Sequence, residues 1–203
     1  MKRKFMSLAV ILSLAIFLNG CGPIASFFPL YKADDQVFET GLVGTWKPEK
    51  ADPRNPDDKD TRWTFAKSED ESFYDFKWGA VGAKGGFLAK ARLVRIGSSL
   101  FVDFAGDTGN KVMDSKDTMM PFPVMSVHML GRVWLGNDSL EIHFLKDDWV
   151  KERIKAGSFP LSHLGENGDL ILTASTDELR KFVQEHAEDK DALSDNYKFE
   201  RNK

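Results

Sequence analysis

Trp63-Thr64-Phe65-Ala66 and Tyr74-Asp75-Phe76-Lys77-Trp78 are the segments of this 203-residue chain that decide its fold class. In both, large aromatic residues occupy every second position with small or polar residues between them. That is the period of a strand with one buried face. Ser68 to Glu71 supply four polar residues between the segments, so the pair reads as a hairpin with an aromatic face.

The same alternation continues toward the C-terminus. After a glycine-rich turn at Gly79 to Gly86, Phe87, Ala89, Ala91 and Leu93 form an apolar series, with Lys90 and Arg92 on the other face. Gly97-Ser98 is a two-residue loop of the kind that joins antiparallel strands, and Leu100, Val102 and Phe104 return the apolar face. This loop sets Ile96 opposite Ser99, and therefore Leu93 opposite Val102, Ala91 opposite Phe104 and Arg92 opposite Asp103. Gly106 to Ser126 breaks the pattern and contains Met119-Met120-Pro121-Phe122-Pro123. A run of that length without periodicity reads as a long loop. Val127 to Leu135 and Ser139 to Leu145 form a further hairpin about Gly136-Asn137-Asp138.

Helical spacing appears twice. Asp147 or Asp148 can N-cap a short helix bearing Trp149, Val150 and Ile154 and stopped by Gly157. Ser175 and Glu178 stand in capping-box spacing ahead of Leu179, Phe182, Val183 and His186, which share one face. Leu170 to Thr173 reads as a strand and Tyr197 to Arg201 as the last one. The whole is mostly β: an antiparallel meander of eight or nine strands, which closes most economically as a barrel, with two short helices packed outside.

Gly44-Thr45-Trp46, within Leu42-Val43-Gly44-Thr45-Trp46, resembles the Gly-x-Trp that opens the first strand of lipocalins and related calycins. The resemblance implies a calycin-like barrel closed at one end by Trp46. In that family an arginine on the last strand covers the tryptophan, and Arg201 matches that position only loosely. Thr176-Asp177 opens a helix here rather than the loop usual in lipocalins. With Pro29-Leu30-Tyr31 upstream, the segment is also similar to a group of bacterial lipoproteins.

The N-terminus points the same way. Lys2, Arg3 and Lys4 precede an apolar run from Phe5 to Leu18, of signal-peptide rather than membrane-spanning length. Leu18-Asn19-Gly20-Cys21 follows and resembles a bacterial lipobox. By that resemblance cleavage falls between Gly20 and Cys21, Cys21 is lipidated, and several acyl chains hold the protein to a cell membrane. If the source is Gram-negative, Gly22 after the cysteine implies the outer membrane. The expected organisation is a signal peptide over 1–20, the lipidated cysteine and a short tether over 21–41, and one barrel domain over 42–203.

Removing residues 1–20 takes away three basic and no acidic residues, which leaves 25 basic against 31 acidic residues and a formal charge of −6. That sign argues against nucleic acid as a partner. Cys21 is the only cysteine, so a lipidated chain has neither disulfides nor thiolate chemistry.

No hydrolase, nucleotide-binding or metalloprotease motif occurs. The histidines 128, 143, 163 and 186 are not at ligand spacing, so neither metal, cofactor nor catalytic residue is expected. Two functions remain. One is a non-enzymatic envelope lipoprotein that acts through the barrel surface on an envelope protein. The alternative is uptake of a small apolar ligand, a lipid or hydrophobic metabolite, through a mouth covered by Glu49 to Thr61 and Gly106 to Ser126. In that case Met119, Met120 and Phe122 line or cap it.

Overall fold

The structure is a computed structural model that describes residues 24–50, 60–69, 72–81, 86–106, 127–165, 170–194 and 197–202. Twelve strands follow in chain order: β1 (Ala25–Ser26), β2 (Gln36–Val37), β3 (Gly44–Pro48), β4 (Thr61–Lys67), β5 (Tyr74–Ala80), β6 (Phe87–Ile96), β7 (Ser99–Gly106), β8 (His128–Leu135), β9 (Ser139–Phe144), β10 (His163–Leu164), β11 (Ile171–Leu172) and β12 (Lys198–Arg201). Two helices, α1 (Asp147–Lys155) and α2 (Thr176–Glu185), separate β9 from β10 and β11 from β12. A 3₁₀ turn, Thr40–Leu42, precedes β3.

Strands β3 to β9 pair consecutively, and β12 pairs with both β9 and β3, closing an eight-stranded antiparallel barrel. The meander therefore closes as the alternation requires. Residues of one parity along each strand point into the lumen: Trp63 and Phe65, Tyr74 and Phe76, Ala89 and Ala91, Val102 and Phe104, Leu140 and Ile142 are all buried in one core. The two-residue loop at Gly97 is formed with φ +59°, and it sets the expected pairs Ile96 with Ser99, Leu93 with Val102 and Ala91 with Phe104.

A second core lies outside the barrel, between its wall and the helices. Val94, Ile96 and Phe101 point outward from β6 and β7 and meet Trp149 and Val150 of α1 and Leu179 and Phe182 of α2. This is why β7 is buried over seven successive positions, from Ser99 to Ala105, instead of at every second one. The capping box of α2 is present, with Ser175 Oγ accepting from the Glu178 amide. For α1 the cap is Lys146 rather than an aspartate. Asp147 and Asp148 instead occupy the first turn, where their charge favours the helix N-terminus.

Residues 24–41, expected as part of a tether, are packed into the fold, with Ile24 and Leu30 buried in the outer core, Tyr31 packed against it, and Val37 and Phe38 against the lumen core. Strand β1 lies between β8 and β11, and β2 pairs with β6. Leu42 is thus not a packing boundary: β1 and β2 are held by contacts to segments far away in sequence, which local periodicity does not report.

Candidate functional site

The barrel has two unlike ends. At one, the 3₁₀ turn places Leu42 and Trp46 under the lumen, and Trp46 Nε1 donates to the Leu42 carbonyl at 3.0 Å. Arg201 of β12 lies over the Trp46 ring, 4.3 Å from its centroid. Its guanidinium also donates to the carbonyls of Val43 at 3.0 Å and Gly41 at 2.6 Å. Gly44 has φ +138°, and a Cβ there would stand 2.8 Å from Arg201 Nη1, so the glycine of Gly-x-Trp makes room for the arginine. Trp46 is fully buried at this end of the lumen core.

The other end carries the connections after β3, β5 and β7. Strand ends Pro48, Thr61, Ala80, Phe87, Gly106 and His128 all lie there, which follows from the pairs Trp63 with Trp78, Trp78 with Phe87, Ala89 with Gly106 and Ala105 with His128. The two long connections therefore leave from one end. Met119, Met120 and Phe122 lie outside the described residues, as do Gly20 and Cys21. Trp78 and Phe87 have the inward parity of Phe76 and Ala89 but stand at the rim, 45% and 37% exposed.

Between the two ends the lumen is occupied by side chains of the barrel itself. The ring of Phe76 lies 4.7 Å from Phe104, 5.0 Å from Phe65 and 5.2 Å from Trp63. Trp63 in turn lies 4.7 Å from Phe199. Edge and tilted contacts at these spacings are the favoured geometry of packed aromatic rings. Two depressions of the described surface lie outside this cluster. One is on the outer face of β3 to β5 about Thr45, Thr64 and Lys77; the other is near the closed end about Arg95, Arg132 and Trp134.

A polar cluster that the sequence did not announce sits on the outer wall. Asp103 pairs with Arg92 in register, as expected. Its carboxylate, however, is 1% exposed and turned to the N-terminal segment: Oδ2 accepts from the Leu30 amide at 2.7 Å, and Oδ1 meets His128 Nδ1 at 2.7 Å. Arg92 lies over the Tyr31 ring instead, 4.7 Å from its centroid.

The Leu30 carbonyl accepts from Arg180 of α2 at 2.9 Å, the Pro29 carbonyl accepts from Thr176 at 2.7 Å, and Lys32 pairs with Asp177 at 2.6 Å. The Lys32 ammonium holds the Asp177 carboxyl below its ordinary range. Ser26 faces His128 across β1 and β8, but it is fully buried and its hydroxyl donates to the Phe28 carbonyl at 2.9 Å. The cluster fastens the strap 24–35 to the barrel. The sequence clue was Asp103 itself, an acid within the apolar run Leu100 to Ala105.

The remaining histidines are dispersed. His143 meets Glu141, His186 meets Asp189 and His163 meets the Leu161 carbonyl. Asp189 is held below the usual carboxylate range chiefly by its bond to His186. His143 stands opposite Arg132, four positions from His128 along β8. Among the described residues no group of three potential ligands could hold a metal, and no helix is long and apolar enough to cross a membrane.

A calycin-like barrel with a filled lumen, closed at one end by an arginine-covered tryptophan and strapped on its outer wall, is the class that these features define. No protein-family model matches the chain, and neither a curated protein nor a solved structure is significantly similar to it.

Proposed function

We propose that this is a lipid-anchored lipoprotein of the bacterial cell envelope that works without catalysis, by presenting its barrel surface to an envelope protein. The observation that carries the reading is the filled lumen. With Trp63 against Phe76, Phe104 and Phe199, and Phe65 against Phe76 and Phe104, a ligand would have to displace packed rings. The anchoring half of the proposal is supported by the lipobox-like Leu18-Asn19-Gly20-Cys21 and its basic and apolar lead.

The alternative, binding of a small apolar ligand, is favoured by one feature: Trp78 and Phe87 are partly exposed at the open rim. Native mass spectrometry of residues 21–203 purified without detergent separates the two readings. The interaction reading expects the mass of the polypeptide alone and no uptake of an apolar fluorescent dye. A stoichiometric co-purifying molecule, or dye binding abolished by Trp78→Ser, overturns it. For the anchor, Cys21→Ala in the full chain is expected to abolish lipid attachment and leave the amino terminus unprocessed. Unchanged detergent-phase partitioning would refute that half.

A further inference from the structure

Strands β10, β11 and β1 extend the sheet beyond β8 as a three-stranded flap. Its two faces differ. Ile24, Leu170 and Leu172 point into the outer core, and Ser26 is fully buried on the same side. On the opposite face Leu164, Ile171 and Ala25 stand in one row, because Leu164 pairs with Ile171 and Ile171 with Ala25. Ala25 and Ile171 are half-buried and belong to neither core, and Leu164 is 59% exposed. Ala25 also pairs with Met129 of β8, so the row continues the side of the sheet opposite the outer core beyond the barrel, with Leu164 as its exposed member.

The chain itself says what lies nearest. Only Gly22 and Pro23 separate Cys21 from Ile24, and three residue steps at about 3.6 Å each reach no further than about 11 Å. Ile24 cannot pay out more chain, since it is buried and β1 is paired on both sides. Nor can the strap that follows. Leu30 has its amide on Asp103 and its carbonyl on Arg180, which ties it to the barrel wall and to α2 together.

We propose that the face carrying Ala25, Ile171 and Leu164 rests on the lipid surface into which the acyl chains of Cys21 insert, an inference that depends on the lipidation of Cys21. The barrel is then held in one orientation, with the flap against the membrane, rather than tumbling at the end of a linker. Leu164 is the side chain that enters the interfacial region. An apolar side chain with a small neighbour row suits that region without committing the flap to insertion.

The sequence makes the test direct, because Cys21 is the only cysteine and its thioether form does not react with thiol reagents. The full chain with Leu164→Cys, processed in a bacterial host and reconstituted into phosphatidylethanolamine and phosphatidylglycerol vesicles, takes one nitroxide label. Ile171→Cys repeats the measurement one strand nearer the anchor. Val81→Cys, at the open end and three strands round the barrel from β8, is the comparison site.

The expected result is a several-fold loss of collisions with an aqueous relaxation agent at residues 164 and 171 on vesicle binding, and no loss at 81. Equal aqueous access at 164 with and without vesicles overturns the proposal. So does protection at 81 alone, or spin–spin broadening at 164 that reveals a second copy on the face. If residue 21 of the parent chain takes the label, lipidation itself has failed and this proposal falls with it. If residue 21 is blocked and the vesicles carry the protein while 164 stays wet, only the orientation is wrong.

Discussion

Arg201 covers Trp46 at 4.3 Å while spanning the carbonyls of Gly41 and Val43, so one side chain on the last strand joins the first barrel strand to the turn that closes the lumen. Its planar fork does three things at once: it stacks on the indole, satisfies two carbonyls at the end of a 3₁₀ turn, and fills the space that Gly44 leaves.

Arg201→Lys keeps the charge and loses the fork and the stack. The expected cost is about 1.5–3 kcal/mol, the range for hydrogen bonds made by a charged group, with a red shift of the Trp46 emission as water reaches the ring. Urea unfolding of Arg201→Lys and Arg201→Ala checks this. If lysine restores wild-type stability, the closure is a matter of charge alone.

The barrel was legible because its strands from β4 to β7 carry apolar residues on the lumen face in strict alternation, and one turn, Gly97-Ser98, fixes the register of a whole hairpin. The pairing of Arg92 with Asp103 was correct for that reason. What alternation could not show is that the outer wall is also buried. Val94, Ile96 and Phe101 look like ordinary outward residues until α1 and α2 cover them. The strap was hidden for a different reason: its bonds join residues 73, 147 and 150 positions apart, and no local pattern encodes them. The open end was only half legible. Strand parity places the two long connections together, whereas Met119, Met120 and Phe122 lie outside the described residues.

Asp103 is the test of the strap. Asp103→Ala leaves the Leu30 amide and His128 Nδ1 buried without their partner, at about 1–3 kcal/mol for each group left unpaired. Asp103→Asn retains an oxygen for one of them and is expected to cost roughly half as much. Amide exchange should report the change locally, with Leu30 exchanging faster relative to lumen amides such as Phe65 and Phe104. Equal stability of the alanine and asparagine variants would show that the carboxylate does not hold the strap.

Tyr74 links the same N-terminal region to the lumen and gives the fold an alkaline limit. Its hydroxyl accepts from the Glu39 amide at 2.7 Å and donates to the Glu39 carbonyl at 3.2 Å, and its ring stacks on Phe38 at 4.8 Å. Burial, more than any other influence, pushes its ionisation from 10.0 up to about 12. Since the folded state disfavours the phenolate, this group's contribution is complete below pH 10.0 and is lost as pH rises from there through about 12. Tyr74→Phe leaves both backbone groups of Glu39 without this partner, at about 1–3 kcal/mol near neutral pH. It also removes the group that titrates. The stability difference between the parent and Tyr74→Phe should therefore be constant below pH 10.0 and shrink across the interval to about 12. Urea midpoints measured through that interval decide the matter. Two parallel curves would mean that the alkaline loss belongs to some other residue.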